Sequence, residues 1–441
     1  MDTRSDRTPA ADFFRPLPGV TARVSRRNRT IVLRVDPKAI APEAARAFLY
    51  RALDSYESRF SVFISGVPFC FLPDAYDHVL PPRGGGKPMR VPVCRRCRLR
   101  RLCPGLPQGS LFKGRPVLLK PVLELPNEIV LEVNRRCNLA CTVCTSRALD
   151  AQLSLPDIRR HLARARALGI KNIRFTGGEP FLHPGILKAL AAAKKLGFYV
   201  LVNTNATLLD RALIKKAAPF IDNILVSLQG WDAASEAAAT GTPGLFAKKI
   251  AAIRLLRGSG IPVLRLGTVI SGPLLRTPER CLRLAQNLEA DVWELYRPMA
   301  PDGKGPAAVS VRALRHLAAR LEPLAGKKPL SVFANPVPFC LFKKSQAPLL
   351  LGARFDDGHS RLVLDPRGFY KPSYYIQEDL GTDPLRAWNS RFLKNLCGPV
   401  HLRGKCSRCV FRLRCLGGSR FMAKGARGTY CAKDPLLAPA P

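Results

Sequence analysis

The segment RRCNLACTVC places Cys137, Cys141 and Cys144 in a Cys-x3-Cys-x2-Cys spacing. Three thiolates on one short loop can hold three irons of a four-iron cubane and leave the fourth iron open to a further ligand. A structural zinc site takes four protein ligands, and no other Cys or His lies close by in the chain. Two more arrays share a different spacing, Cys-x2-Cys-x5-Cys: Cys94, Cys97 and Cys103 in VCRRCRLRRLC, and Cys406, Cys409 and Cys415 in KCSRCVFRLRC. Upstream of each lies a near-identical decapeptide, SVFISGVPFC (61–70) or SVFANPVPFC (331–340), matching at seven of ten positions. An amphipathic helical pattern, PEAARAFLYRALDSY or VRALRHLAARLEPL, precedes each decapeptide. The arrays therefore belong to a duplicated cysteine module. Its N-terminal copy has Cys70 as the one available fourth ligand, and its C-terminal copy offers Cys431 or Cys340. Zinc and an iron-sulfur cluster both remain open for the N-terminal copy. Cys281 and Cys397 fall outside any group and read as ordinary thiols.

These ligands need elements to position them. From residue 127 onward, strand-like runs (127–134, 172–178, 199–205, 223–230, 263–270 and 291–299) alternate with helical patterns such as PGILKALAAAKKLG and TPERCLRLAQNLEA. Pro opens and Gly closes several of these helices, as their unsatisfied ends prefer. Six βα units in series predict an α/β fold: a parallel sheet curved into a partial (β/α)6 TIM-like barrel, with chemistry at the C-terminal strand ends and small cysteine-rich modules on either side. The expected division is 1–120, 121–330 and 331–441.

With 47% hydrophobic residues the chain can fill sizeable cores. No apolar run of signal-peptide or membrane-spanning length occurs, so a soluble, cytoplasmic protein with no membrane partner is expected. Thiols stay reduced in that compartment, which favours metal or cofactor ligation over disulfides. The 71 Lys and Arg against 32 Asp and Glu give a net charge of +39. Such a surface attracts polyanions, whether nucleic acid or an acidic peptide, unless the charge is simply spread as a solvated shell. His161, His183, His316, His359 and His401 are scattered without ligand spacing and read as surface or capping residues.

The cysteine triad falls at the end of the first predicted strand, TGGEP (176–180) at the end of the second, NTNAT (203–207) at the third and VSLQG (226–230) at the fourth. In this arrangement residues 127 to about 300 resemble the radical S-adenosylmethionine (radical SAM) superfamily. The resemblance implies that Cys137, Cys141 and Cys144 hold a 4Fe-4S cluster whose open iron chelates S-adenosyl-L-methionine. Reduction then gives methionine and a 5'-deoxyadenosyl radical. It also implies that Gly177, Gly178, Glu179 and Pro180 form the segment that binds the SAM amino group, with Thr204, Asn205 and Ser227 near its ribose or carboxylate. Gln229 stands where many relatives have an acidic residue, and Val143 where many have an aromatic one.

The C-terminal part resembles a SPASM domain, a module that adds auxiliary iron-sulfur clusters to peptide-modifying radical SAM enzymes. Cys340, Cys406, Cys409, Cys415 and Cys431 match its pattern, whereas Ser373 and Ser419 occupy two cysteine positions. Both losses fall on the cluster nearer the active site, so one auxiliary 4Fe-4S cluster is expected here, held by Cys406, Cys409, Cys415 and Cys431, and a second on the N-terminal module. Tyr374 follows Ser373 where some relatives have a catalytic Asp. The resemblance implies hydrogen abstraction from a peptide or protein and an electron donor such as a flavodoxin or ferredoxin. RNA as the substrate, and a non-catalytic iron-sulfur or zinc protein that binds nucleic acid, are the alternatives.

Overall fold

The computed structural model describes residues 17–36, 38–81, 89–103, 105–106, 119–142, 144, 150–299, 309–354, 357–396 and 402–437. Val143, Cys397 and His401 lie outside them. Strands β4 (Glu128–Asn134), β5 (Asn172–Gly177), β6 (Tyr199–Thr204), β7 (Asn223–Ser227), β8 (Val263–Val269) and β9 (Val292–Tyr296) are the six expected runs, all parallel and paired in chain order. Helices cover their outer face, where Ile129, Leu131 and Val133 of β4 are buried. The helix Leu155–Ala167 starts where the Ser154 side chain accepts from Asp157 N, and Arg211–Ala217 where Asp210 does the same for Leu213 N. Each cap satisfies an otherwise orphaned amide.

The sheet extends beyond six strands. β10 (Leu330–Phe333) adds in parallel to β9, and β11 (Arg361–Leu364) adds in parallel to β4. β12 (Tyr370–Lys371) pairs antiparallel with β11, giving nine strands in the order β10-β9-β8-β7-β6-β5-β4-β11-β12. The sheet stays open, with β10 and β12 at its edges. Residues beyond 330 thus contribute three strands to the core sheet.

A second sheet of three strands precedes it: β1 (Val20–Ser25) antiparallel to β2 (Thr30–Val35), and β2 parallel to β3 (Ser61–Ser65) through the crossover helix Pro42–Tyr56. This β2–helix–β3 unit has the same form as β9, the helix Val311–Leu321 and β10. One continuous hydrophobic core joins both sheets: Ile31, Leu49 and Ile64 share it with Ile129, Val200 and Leu264 and with Trp388 and Leu413. No described helix is long and apolar enough to cross a membrane.

Candidate functional site

β4 runs directly into the cysteine loop, and the neighbouring strand ends hold that loop in place. Gly178 N donates to Asn134 O at 2.9 Å and Glu179 N to Arg136 O at 2.8 Å. A Cβ on Gly177 (φ +143°) would lie 2.1 Å from Asn134 O, and one on Gly178 would lie 2.1 Å from Arg136 O. The two glycines therefore let the β5 end pack against the backbone that carries the cysteines. On the far side of the loop, Thr142 N donates to Ala239 O at 3.2 Å. Gly241, at φ +64°, leaves room for Ala140.

Glu179 is fully buried, and its carboxylate accepts from Thr204 Oγ1 (2.7 Å), Asn205 N (2.7 Å) and Phe181 N (3.1 Å). Burial raises its pKa despite these bonds. Its oxygens are committed to locking the β5 end onto the β6 end, and Pro180 is buried beside it. Asn205, fixed in this way, directs its Nδ2 to Asn138 Oδ1 (2.9 Å) and towards Cys137 Sγ (3.8 Å). Asn138 in turn donates to Thr207 Oγ1 at 2.7 Å.

One cavity of about 490 Å³ brings the motifs together: Cys137, Cys141, Cys144, Gly177, Gly178, Thr204, Asn205 and Ser227 all line it, while Glu179 and Pro180 stand behind its wall. Cys137 and Cys144 are exposed and Cys141 is partly so. Among the described residues no group of three or more Cys, His, Asp or Glu side chains converges on a position for a single metal ion. A cubane spaces its ligands more widely than one ion does, so a set of three thiols, partly open to the cavity and without a fourth donor, fits a cluster with one open iron.

The lower wall is polar, which the strand motifs do not announce. Arg174 pairs with both oxygens of Glu128 (2.8 and 3.0 Å) and reaches Asn203 Oδ1 (3.1 Å). Arg265 pairs with Glu294 at 2.5 Å, and the Tyr296 hydroxyl donates to the same carboxylate. Lys249, wholly buried, contacts Glu236 at 2.5 Å and Ser227 O at 3.0 Å. Glu236 also accepts from Gln229 N and Gly230 N, both at 2.7 Å. Gln229 itself caps β8 by accepting from Val269 N at 2.8 Å. A signal for these residues does exist: Arg174, Arg265, Glu128 and Glu294 occupy alternate positions of otherwise apolar strands, the register that faces the barrel interior.

Ser373 and Ser419 have structural partners. Ser373 Oγ accepts from Tyr375 N (3.2 Å) and Ile376 N (3.1 Å), and Ser419 caps the helix Arg420–Arg427 by accepting from Met422 N (3.2 Å). Tyr374 lines the cavity with its hydroxyl buried, and burial holds the phenol above its ordinary pKa. Tyr374 Oη and Arg265 Nη2 lack hydrogen-bond partners within the described protein, as do groups that a bound molecule satisfies. His161, His183 and His359, expected at the surface or as caps, are buried. His183 does cap a turn, its ring accepting from Gly185 N at 3.0 Å. A hollow of about 560 Å³ between Asp157, Arg160 and Arg367 contains no cysteine and lies apart from this chemistry.

Residues 131–286 match the Radical SAM superfamily. They form a radical SAM domain. A domain of this family supports an iron-sulfur-dependent enzyme. It is 24% identical over 337 residues to the AdoMet-dependent heme synthase of Methanosarcina barkeri, covering 70% of this chain and 95% of that protein. To the PqqA peptide cyclase of Gluconobacter oxydans it is 31% identical over 175 residues, 38% of this chain and 49% of that one. Among solved structures, Streptococcus suis SuiB bound to the precursor peptide SuiA shares the fold, with a TM-score of 0.57, 17% identity, and 71% of this chain and 76% of that chain covered. When bound, the cluster and SAM supply a 5'-deoxyadenosyl radical. The residues of this radical SAM site fix the loop, shape the cavity and bury its charges.

Proposed function

We propose that this radical SAM enzyme abstracts hydrogen from a residue of a peptide or protein and so modifies it. The observation that carries the reading is the single cavity onto which the triad, the paired glycines, Thr204, Asn205 and Ser227 open. Its volume lies within the range of about 300–1,000 Å³ typical of small-ligand sites. That range suits a cofactor of nucleoside size together with one side chain of a longer substrate. The likeness to SuiB, solved with a precursor peptide, and to the PqqA peptide cyclase supports a peptide. One auxiliary cluster at the C-terminal array, a flavodoxin or ferredoxin as reductant and a cytoplasmic location complete the proposal.

A second reading, a haem precursor as substrate, is favoured by the heme synthase, which matches along nearly its whole length. The test is anaerobic reconstitution with SAM and a chemical reductant, followed by quantification of 5'-deoxyadenosine as peptide and tetrapyrrole fractions of a cell extract are added in turn. Stimulation by the peptide fraction, with a mass change in one peptide, supports the proposal. Stimulation by the tetrapyrrole fraction alone replaces it with the second reading. Absence of 5'-deoxyadenosine under every condition removes both.

A further inference from the structure

The two cysteine modules are alike beyond their spacing. In the first array Cys97 N donates to Cys94 O (3.4 Å), Arg100 N to Cys97 O (3.2 Å), Leu102 N to Leu99 O (2.9 Å) and Cys103 N to Leu99 O (2.9 Å). In the second, Cys409 N donates to Cys406 O (3.3 Å), Arg412 N to Cys409 O (3.1 Å), Arg414 N to Phe411 O (3.0 Å) and Cys415 N to Phe411 O (2.8 Å). The four bonds fall at the same offsets from the first cysteine, so the two loops have one conformation.

The turns that carry Cys70 and Cys340 repeat as well. Phe71 N donates to Pro68 O and Leu72 N to Phe69 O, as Leu341 N does to Pro338 O and Phe342 N to Phe339 O. Each turn is anchored by an arginine of its crossover helix: Arg46 Nε donates to Phe71 O at 3.0 Å, and Arg315 Nε to Leu341 O at 2.6 Å. In both cases the anchored carbonyl belongs to the residue just after the cysteine. That helical arginine lies outside the decapeptide, and it turns a sequence repeat into a repeated three-dimensional frame.

Each frame gathers four thiols. Cys70 is buried within electrostatic reach of Cys103, Cys94 and Cys97. Cys340, although exposed where Cys70 is buried, lies within electrostatic reach of Cys406 and Cys409, and Cys415 of Cys340 and Cys409. Phe339 N, next to Cys340, also donates to Cys415 Sγ at 3.4 Å. Cys431 is exposed like Cys340, but it follows the helix Arg420–Arg427 and has no counterpart in the first module.

We propose that the N-terminal module is a second auxiliary cluster site, with Cys70, Cys94, Cys97 and Cys103 as its four thiolate ligands, and that Cys340 rather than Cys431 completes the equivalent C-terminal site. An all-thiol donor set is common to zinc and to iron-sulfur clusters, and the spread of the sulfurs separates the two. Zinc, with four Zn–S bonds of about 2.3 Å, draws its sulfurs to about 3.8 Å from one another. Among the described residues neither frame places three donors at a single-ion position. The common conformation of the two loops and of the turns that carry Cys70 and Cys340 points to the same kind of group at both.

The experiment is metal analysis of the full-length protein purified anaerobically and reconstituted with iron and sulfide, read together with its Mössbauer spectrum. With three four-iron clusters, wild type carries about twelve irons per chain and no zinc. Cys70→Ser and Cys340→Ser each lose about a third of the iron, whereas Cys431→Ser loses none. About eight irons with one zinc in wild type overturns the N-terminal cluster without any variant having to fold. Loss of a third of the iron in Cys431→Ser, with full iron in Cys340→Ser, overturns the ligand assignment. Either result leaves 5'-deoxyadenosine formation, and so the substrate proposal, to be judged separately.

Discussion

Cys137, Cys141 and Cys144, the proposed cluster ligands, sit on a loop that packs on the β5 and β6 ends and on the helix Ala233–Thr240. Replacing any of them by Ala should abolish 5'-deoxyadenosine formation while about eight irons per chain remain on the other two sites, measured by iron assay on the same sample. Undiminished nucleoside from such a variant would contradict the assignment. Glu179 is a positioning residue, and its substitution should have a different signature. In Glu179→Gln an amide N–H faces a backbone or hydroxyl donor in a fully buried place, a mismatch that costs roughly 1–3 kcal/mol. The variant should keep its iron yet melt earlier and bind SAM more weakly, because Asn205 loses its anchor beside Cys137. An unchanged melting temperature would show that the three bonds are dispensable. The triad and the glycines were legible as spacing and as residue type. The role of Glu179 was not: a carboxylate beside a ligand site reads as a ligand contact until its partners on β6 are known. Lys249 and Glu236 were equally hidden, since a lysine and a glutamate on two neighbouring helices pair only once both helices are placed.

At the level of elements, the six strands of the core fall where periodicity puts them, because parallel strands buried on both faces read as apolar runs bounded by turns. β10, β11 and β12 were not foreseen in this sheet. They are two to four residues long, and pairing partners cannot be read from so short a pattern. The packing of the two modules on each other is likewise a product of tertiary contacts. Arg414, between Cys409 and Cys415, is buried and donates to Val62 O (3.1 Å) and Asp77 O (3.3 Å) while lying over the Phe63 ring. Phe411 of the same array packs on Phe63 at 5.3 Å between centroids. Arg414 Nε also lies 3.5 Å from Asp77 Oδ2, and removing one partner of a buried ion pair costs about 3–5 kcal/mol. Arg414→Ala should therefore lower stability by that order and speed hydrogen exchange in β3 and the turn Tyr76–His78 ahead of β4–β9. Uniform exchange across both sheets would argue that this contact does not hold the module.

Over the whole molecule, the net charge of +39 makes every buried carboxylate on the module interface valuable, and that interface also contains two histidines. Burial is the main cause that lowers the His78 pKa to about 3 and the His359 pKa to about 4. His78 lies 3.5 Å from Glu57, yet burial and the nearby Arg414 outweigh that attraction. His359 shares a short hydrogen bond with Tyr76, so both rings sit where the N-terminal module meets the rest of the chain. Both folded values are below the ordinary 6.5, so the stability these neutral rings contribute is complete above about pH 6.5 and is lost as pH falls towards 4. At pH 5 the loss is roughly 2 kcal/mol for each ring. Melting temperatures measured anaerobically at pH 7.5 and pH 5 should fall with acid, and less so in His78→Gln. A melting point that rises on acidification would contradict the buried neutral state.

Arg414 and Val62 are separated by 352 positions along the chain. A ribosome adding about 5–20 residues per second needs tens of seconds to cover that distance. Throughout that interval the nascent N-terminal module presents Asp77 and the Phe63 ring without the arginine that later seals them. Its four thiols, all within the first 103 residues, emerge into the cell well before the segment that packs on β3.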